Sequence, residues 1–243
     1  MEPDVRQLLL RLNREFYTRF ATAFAATRFS PQPGYHRIIR YFPRVGHVLD
    51  LGCGNARLAH FLDTHVEEVM YLGVDMSPGL LHVARKGAVA LARVRSRFVL
   101  LDLAEPGWEG VLDGARFDAI AALAVLHHIP GAAYREAFVQ GAARLLKPGG
   151  HLILSTWRFL HNERMRRKIV PWERVGLNAA ALEPGDYLLD WKREGYGYRY
   201  VHAVDEAEYA RWARAAGLRL VETFYSDGRE GDLSLYGVFY REP

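Results

Sequence analysis

The chain has 243 residues, of which 50% are hydrophobic, with one cysteine and a formal net charge of +4. This length suffices for one sizeable hydrophobic core. The single cysteine, Cys53, excludes an intrachain disulfide, and no Cys and His residues have zinc-site spacing, so we expect no metal site. The sequence has neither a signal-like leader nor a run of about eighteen apolar residues, which predicts a cytoplasmic protein without a membrane contact.

Residues 1–46 are predicted to form a helical lid, because apolar residues recur at three- and four-residue steps from Val5 to Phe24. Residues 47–156 alternate between short apolar runs and amphipathic helices, which is typical of a parallel sheet with helices on both faces. In chain order the segments are “VLDL”, “ARLAHFLD”, “VMYLGVD”, “SPGLLHVARKGAVALA”, “RFVLLDL”, “FDAIAALAVL”, “GAAYREAFVQGAARLL” and, after the turn “KPGG”, “HLILSTW”. We expect them to form the core of a single domain spanning residues 1–243.

Residues 157–204 break this alternation, because charged and aromatic residues are mixed without a clear period. We predict an irregular insertion over one end of the sheet that serves as the substrate region. Regular structure is predicted again over residues 205–243. Asp205 and Glu208 form a helix-capping pattern ahead of “EYARWARAAG”, and the strands “LRLVETFYS” and “LSLYGVFYR” flank a turn rich in Gly and Asp.

The segment “VLDLGCGNA”, residues 48–56, is typical of a nucleotide-like ligand site. A strand that ends in a small-residue turn before a helix places backbone amides beside a ligand, at the carboxyl end of the sheet. Asp50 would face a cationic group there and would repel a pyrophosphate. The pattern G-x-G-x-x-G is also unmet, because Arg57 occupies its third glycine position, so a dinucleotide is disfavoured.

Acidic residues also end the next two predicted strands. Asp75 lies about twenty residues beyond the loop, where a carboxylate accepts ribose hydroxyls; the alternative is that it caps the following helix. Met76 is placed to lie against an adenine face. Asp102 ends the third strand and is placed to accept from the adenine amino group, with the backbone of Leu103 beside it.

These acids, in “VLDLGCGNA”, “GVDMS” and “LLDL”, resemble the cofactor site of class I S-adenosylmethionine-dependent methyltransferases over residues 47–156. The resemblance implies S-adenosyl-L-methionine as cofactor and a Rossmann-like α/β fold, with a seven-stranded, mostly parallel sheet whose last strand is antiparallel. Ala56 departs from the family, many members of which have a third glycine there. The implied cofactor-binding residues are Asp50, Gly52, Cys53, Gly54, Asn55, Asp75, Met76, Ser77, Asp102, Leu103, Ala122, Leu123 and Arg28.

The methyl acceptor is indicated first by what the sequence lacks. No N/D-P-P-Y motif follows the fourth strand, which disfavours amino methylation of adenine or glutamine, and the only cysteine lies in the cofactor loop, which disfavours methylation of a pyrimidine carbon. The adjacent His127 and His128 of “AVLHHI” cannot both face one site in a regular element. One of them is a candidate base or substrate contact; the alternative is that it closes the turn.

A narrower resemblance connects “FATAFAATRFSPQPGYHRII”, “AVLHHI”, “RLLKPGGHLILSTW” and “YRYVHAVDEAE” to methyltransferases that esterify 5-carboxymethyluridine at the tRNA wobble position. Such an acceptor is an ionised carboxylate, which needs a clamp rather than a base. The candidates for the clamp are Arg199, His202, Arg28 and Trp157. The resemblance implies tRNA as partner and admits a small activating subunit, as in eukaryotic members.

A basic segment of the insertion suits an RNA partner, since cations contact phosphates and an aromatic ring stacks on bases. It groups Arg164, Arg166, Arg167 and Lys168 near Trp172. Such clusters are also ordinary solvated faces. Two other functions stay open: a small-molecule O- or N-methyltransferase in which His127 or His128 removes a proton, and a non-catalytic binding protein with the same fold.

Overall fold

A seven-stranded β-sheet forms the centre of the molecule. The computed structural model describes residues 1–21, 30–112, 114–192 and 195–243. Its strands are β1 (Val45–Leu51), β2 (Glu68–Asp75), β3 (Val94–Leu100), β4 (Phe117–Leu123), β5 (Leu146–Trp157), β6 (Ile169–Val170), β7 (Asp186–Trp191), β8 (Gly197–His202), β9 (Arg219–Ser226) and β10 (Ser234–Tyr240). The order in the central sheet is β3-β2-β1-β4-β5-β10-β9, and β10 is antiparallel to both of its neighbours. The predicted α/β sheet with an antiparallel last strand is confirmed.

Seven α-helices lie within the described residues. They are α1 (Pro3–Arg19), α2 (Pro33–Ile38), α3 (Arg57–Asp63), α4 (Pro78–Ala88), α5 (Ala132–Leu145), α6 (Glu163–Arg166) and α7 (Glu206–Ala215). Short 3-10 helices span Ile39–Tyr41, Trp108–Leu112, Leu126–His128, Phe159–His161, Trp172–Val175 and Ala179–Ala181. In this part of the chain, no helix combines the length and the apolar character needed to cross a membrane.

Helices cover both faces of the sheet and create two cores. Leu49 of β1 belongs to the core formed with α5 and α7, which includes the fully buried Trp212. The adjacent Val48 belongs to the other core, formed with α2 and α3, which includes Leu62. Successive strand residues face opposite sides, so a strand that is covered on both faces is apolar at successive positions. The segment “VLDL” follows this rule at every position except Asp50.

The strand order reverses beside β1, since β2 and β3 extend the sheet on one side and β4 and β5 on the other. In open parallel sheets this reversal leaves a crevice at the carboxyl ends of the strands, where ligands bind. The chain therefore places its candidate site at the ends of β1 to β4.

The insertion contains a second, antiparallel sheet of order β6-β7-β8, where the sequence predicted irregular structure. The strands were not recognisable because four of their buried positions carry polar side chains: Asp186, Asp190, Arg199 and His202. Helix α1 packs on β8 through the buried Asn13, whose side chain accepts from the Tyr200 amide at 2.9 Å and donates to the Tyr200 carbonyl at 3.3 Å. The predicted lid and the insertion are thus joined by hydrogen bonds.

Two local predictions have different outcomes. The Asp205 side chain accepts from the Glu208 amide at 2.8 Å, so the predicted cap of α7 is confirmed. Glu208 is directed elsewhere, to His202 and Arg211. Strand β5 begins at Leu146, ahead of the predicted “HLILSTW”, because Leu146 pairs with Phe117 before a register shift brings His151 opposite Ala119.

Candidate active site

A cavity of about 790 Å³ lies between the carboxyl ends of the strands, helix α1 and the insertion. Most of the predicted cofactor-binding residues line it. They are Asp50, Gly52, Cys53, Gly54, Asn55, Asp75, Met76, Asp102, Leu103 and Leu123. A site of this size at a strand-order reversal suits an adenosine-containing ligand together with a second molecule.

Among the described residues, two predicted cofactor residues do not line this cavity. Ser77 lines a smaller recess of about 380 Å³ together with Met76 and Asp102. Ala122 is fully buried in the core and its side chain does not line the cavity. Arg28 lies outside the described residues.

The glycine loop after β1 follows a tight left-handed course, with Gly52 at φ +74° and Gly54 at φ +56°. The expectation that its amides face a ligand is wrong for the first three of them. The amides of Gly52 and Cys53 donate to the Val74 carbonyl at 2.7 and 2.9 Å, and that of Gly54 donates to Asp75 at 2.9 Å. These hydrogen bonds fix the loop to the end of β2, and the neighbouring carboxylates Asp50 and Asp75 line the cavity beside it.

Asp50 is 3% exposed and accepts a hydrogen bond from the hydroxyl of Tyr71. Burial raises its pKa to about 7, and the nearby charge of Asp75 adds to that effect, while Tyr71 and Arg57 oppose it. A buried carboxylate of this kind, next to a cavity, is stabilised by a bound cation. The position suits the ammonium group of an amino acid ligand.

Both oxygens of Asp75 accept from the backbone: Oδ2 from Gly54 and Oδ1 from Ser77, each at 2.9 Å. Burial raises the pKa of Asp75, although these amides lower it in part. The alternative of a helix cap does not hold, because Ser77 caps α4 by accepting from Leu80. Asp75 fixes the loop and leaves its remaining lone pairs toward the cavity.

Asp102 joins the cofactor side of the cavity to α1. Its Oδ1 accepts from the Ala104 amide at 2.9 Å, and its Oδ2 accepts from Arg14 at 2.7 Å. Arg14 also contacts Glu105 at 3.0 Å. The predicted adenine contact therefore already has a cationic neighbour.

The two adjacent histidines have different surroundings, as their spacing predicted. His127 is fully buried outside the cavity lining, and neither ring nitrogen has a partner among the described residues. Burial, and then the charges of His128, Arg199 and His202, lower its pKa well below the usual value, so it is neutral. Its assignment as a catalytic residue is wrong, because it packs against the ring of Trp157 at 4.6 Å.

His128 lines the cavity, and its hydrogen bonds define its tautomer. Nδ1 lies 3.1 Å from the Tyr200 carbonyl, which can only accept, so Nδ1 carries the proton. Nε2 lies 2.7 Å from the Tyr17 hydroxyl and accepts from it. Tyr17 in turn accepts from Arg199, since a guanidinium can only donate.

Arg199 lines the cavity and is 2% exposed. Aromatic rings surround its guanidinium: Trp157 at 4.6 Å, Phe16 at 5.0 Å and Trp191 at 5.7 Å from its central carbon. Within the described residues, Nε and Nη1 have no hydrogen-bond partner and no carboxylate pairs with this side chain. Burial lowers the pKa of Arg199. A buried cation without a counterion, aimed at a cavity, suits an anionic ligand.

His202, a predicted clamp residue, lies away from the cavity in a buried charged network. Its ring contacts Asp186 at 2.7 Å, Glu208 at 3.1 Å and Arg135 at 3.1 Å. Glu183, Asp186 and His202 are close enough to share a metal ion, but Arg135 already supplies the positive charge there. The clamp assignment of His202 is wrong, because its partners are structural.

Charge is separated along the cavity. The acids Asp50, Asp75 and Asp102 lie at the strand ends, whereas the insertion contributes cations. Besides the buried Arg199, these cations are Arg164, Arg167, Lys168 and Lys192, and we call these four the insertion rim. Asp190 on that side pairs with Lys192 at 3.0 Å. Trp172, predicted to stack on bases, is 8% exposed in a core cluster and is not available for stacking.

Comparison with known proteins agrees with this geometry. The family described as “Methyltransferase domain” matches residues 49–152. A ubiquinone biosynthesis O-methyltransferase of Alkalilimnicola ehrlichii is 33% identical over 71% of this chain and 60% of its own length. The mouse tRNA (carboxymethyluridine(34)-5-O)-methyltransferase ALKBH8 is 31% identical over 74% of this chain and 26% of its own length. The chain thus spans less than two thirds of these relatives.

Solved structures share the fold at low sequence identity. A SAM-dependent methyltransferase from Methanosarcina mazei has a TM-score of 0.65 at 17% identity, covering 88% of this chain and 99% of its own. Magnesium protoporphyrin IX methyltransferase from Synechocystis, with bound SAM, has a TM-score of 0.62 at 17% identity, covering 96% and 97%. Residues 49–152 therefore match the methyltransferase domain family, and the chain shares the fold of solved S-adenosylmethionine-dependent methyltransferases.

The residues that line the cavity fit S-adenosylmethionine as cofactor. Buried Asp50 matches the methionine ammonium in charge, and Asp75 and Asp102 offer acceptors for ribose and adenine. A Cβ added to Gly54 would meet no atom within 4 Å, so the loop leaves room beside the cavity. Arg199 and the insertion rim lie on the other side, where an acceptor would enter.

Four residues that line the cavity were not among the predicted site residues. Asn13, Arg14 and Tyr17 line the cavity from α1, and Trp191 lines it from β7. One signal was available, since Arg6 and Asn13 are seven residues apart on the apolar face of α1, and both are buried. Polar residues on an apolar helix face indicate specific partners.

Proposed function

We propose that the chain transfers a methyl group from S-adenosylmethionine to the carboxylate of 5-carboxymethyluridine at the wobble position of a tRNA. The observation that carries the proposal is Arg199, a buried guanidinium that lines the cavity without a counterion among the described residues. An acceptor carboxylate would supply that counterion. The pair would form in a desolvated place, where a charge-assisted hydrogen bond is strong.

The chemistry required of the protein is positioning. When bound, S-adenosylmethionine supplies a methyl group on a sulfonium, and the C–S bond breaks as a carboxylate oxygen bonds to the methyl carbon. No proton leaves the acceptor, so no general base is required. Arg199 holds the carboxylate, while the rings of Trp157 and Trp191 exclude water around it. Orientation of two bound groups is a large contribution in such a displacement.

The insertion rim supports an RNA rather than a free nucleoside. Arg164, Arg167 and Lys192 have exposed side chains at the same cavity that contains Arg199. A base that enters the cavity would keep its neighbouring phosphates near these cations, and phosphate contacts dominate affinity for nucleic acids. The ALKBH8 relatives carry this activity in their names, which supports the same acceptor.

The test is transfer of labelled methyl from S-adenosylmethionine to tRNA that lacks the ester, followed by nucleoside mass spectrometry and an alkaline wash. We expect base-labile label on the wobble uridine. Stable label would contradict the ester, and absence of transfer both with and without cell extract, by a chain that binds S-adenosylhomocysteine, would contradict the tRNA acceptor. A parallel reaction with added cell extract tests the proposed activating subunit.

One observation favours a second candidate, O-methylation of a small hydroxylated molecule. The Tyr17 hydroxyl is directed at His128 Nε2, so a proton arriving on Tyr17 can be passed to the histidine. The ubiquinone biosynthesis O-methyltransferases among the relatives support this candidate. Assay of a catechol acceptor beside the tRNA separates the two, since Arg199 variants would then matter less than Tyr17→Phe.

A further inference from the structure

Helix α1 contacts both halves of the cavity. Arg14 lines it beside Asp102 on the cofactor side, and Tyr17 lines it beside His128 on the acceptor side. The two side chains are three residues apart, so they lie one helical turn from each other. If α1 moves at the cofactor side of the cavity, its residues at the acceptor side therefore move as well.

The cofactor side is held by two arginines of α1. Arg14 donates to Asp102 at 2.7 Å and contacts Glu105 at 3.0 Å. Arg6 donates to the Ala104 carbonyl and contacts Glu105 at 3.4 Å. These bonds attach α1 to the loop after β3, which the adenine ring is expected to contact.

The acceptor side is held by Asn13 and Tyr17. Asn13 bonds the Tyr200 backbone and donates to the His128 carbonyl at 3.0 Å. Tyr17 bonds the side chains of His128 and Arg199. Phe16 adds a ring to the surroundings of Arg199 at 5.0 Å. The orientation of the guanidinium thus depends on where α1 lies.

We propose that Arg14 is a positioning residue that acts through Asp102: it seats α1, and with it Tyr17 and Phe16, against Arg199 once the adenosyl half of the site is filled. The proposal rests on the proposed function in one respect, which is the assignment of the cofactor to one half of the cavity and of the acceptor to the other. A bound adenosyl group removes water from the Arg14–Asp102 pair, which is now partly exposed, and so strengthens it. The coupling is reciprocal, so an acceptor that orders α1 tightens cofactor binding by the same factor.

The experiment is hydrogen exchange of the full chain with saturating S-adenosylhomocysteine, a probe that needs no acceptor. In the unsubstituted protein we expect slower exchange in residues 3–19 and 197–202 as well as in the cofactor loop. Arg14→Gln should bind the probe and protect the cofactor loop alone. Arg11→Gln, an exposed change on the same helix, should behave like the unsubstituted protein.

Kinetics give a second readout that a merely structural role would not move. Arg14→Gln should raise KM for the acceptor about tenfold, a larger change than in kcat, and adding Asp102→Asn to this variant should raise KM no further. Two results would overturn the proposal. One is that residues 197–202 are protected as strongly in Arg14→Gln as in the unsubstituted protein, and the other is that they are not protected in the unsubstituted protein. Because the exchange experiment contains no tRNA, failure of methyl transfer to tRNA refutes the proposed function and leaves this result standing.

Discussion

The guanidinium of Arg199 lies over the ring of Trp157, 4.6 Å from its centroid. A cation over an aromatic face recovers part of the hydration lost on burial, and a carboxylate would recover more. The described part of the chain offers Arg199 no carboxylate. We therefore infer that Arg199 lowers the stability of the free protein and stabilises a complex with a bound carboxylate.

Replacement of Arg199 by Met should raise stability and lower activity together. We expect the free energy of unfolding to rise by about 1–2 kcal/mol, because an unpaired buried charge is removed. We expect kcat/KM for the acceptor to fall on the order of 100-fold, with unchanged affinity for S-adenosylhomocysteine. Thermal unfolding and kinetics check this beside Arg166→Met, an exposed change that does not line the cavity. A destabilised variant with normal kinetics would contradict the clamp.

Cofactor affinity should depend on pH through Asp50. Burial raises its pKa to about 7 in the free protein, and a methionine ammonium pairs only with the ionised form. The dissociation constant of S-adenosylhomocysteine should be lowest just above this pKa, where Asp50 is ionised and the ligand amino group is still protonated, and it should rise as pH falls below the pKa. Calorimetric titrations between pH 5 and 9 test this. Asp50→Asn should bind S-adenosylhomocysteine weakly, with an affinity that does not depend on pH. An affinity independent of pH in the unsubstituted protein would contradict the contact between Asp50 and the ammonium group.

Replacement of Ala56 by Gly should stabilise the protein. Ala56 is the N-cap residue before α3 and has φ 61°, in the left-handed region that favours glycine, and its side chain is fully buried. We expect a gain of about 0.5–1 kcal/mol in thermal unfolding. Ala59→Gly, inside the same helix, is the matched control and should cost about 1 kcal/mol. Equal losses in both variants would show that Ala56 is not strained.

The buried network around His202 should make the insertion sensitive to high pH. Burial lowers the pKa of His202, but hydrogen bonds to Asp186 and Glu208 outweigh it, so the pKa is raised above the usual value. A raised pKa means that the stabilisation is full below the ordinary histidine pKa and is lost as pH rises through the folded value. Unfolding from pH 6 to 9 should show this loss in the unsubstituted protein and less of it in His202→Gln. If the stability of the two proteins depends on pH in the same way, the network around His202 does not cause the loss.

Neutralising the insertion rim should affect tRNA and spare small acceptors. In the combined variant Arg164→Gln, Arg167→Gln and Lys168→Gln, the slope of log affinity for tRNA against log salt should fall by about 2–3. Methylation of the free nucleoside should not change. The matched control replaces the exposed Arg97, Arg116 and Arg214, which do not line the cavity. An equal fall in the control would mean that only net charge matters.

The cofactor half of the site was predictable from sequence. Apolar runs that alternate with amphipathic helices predict the parallel strands, and the acidic residues stand where these strands end. Asp75 follows an apolar run, so its place at the edge of the sheet needs no knowledge of side-chain contacts. Its hold on the Gly54 amide was not predictable, because this bond depends on the turn geometry of another strand.

The acceptor half depends on polar residues buried in short elements. Arg199 was singled out by resemblance, but its burial among aromatic rings follows from β8 packing under α1, which local sequence does not encode. His127 and His202 failed for the same reason. Histidine is equally suited to a packed core, to an ion-pair network and to a reacting site, and only the neighbours decide.

The unpaired guanidinium also bears on what happens after the reaction. An ester has no negative charge, so an acceptor held by Arg199 as an anion is released from that attraction as soon as it is methylated. The site then distinguishes product from substrate by charge alone, although the two differ by one methyl group. We therefore expect the ester to dissociate readily and to inhibit the enzyme weakly.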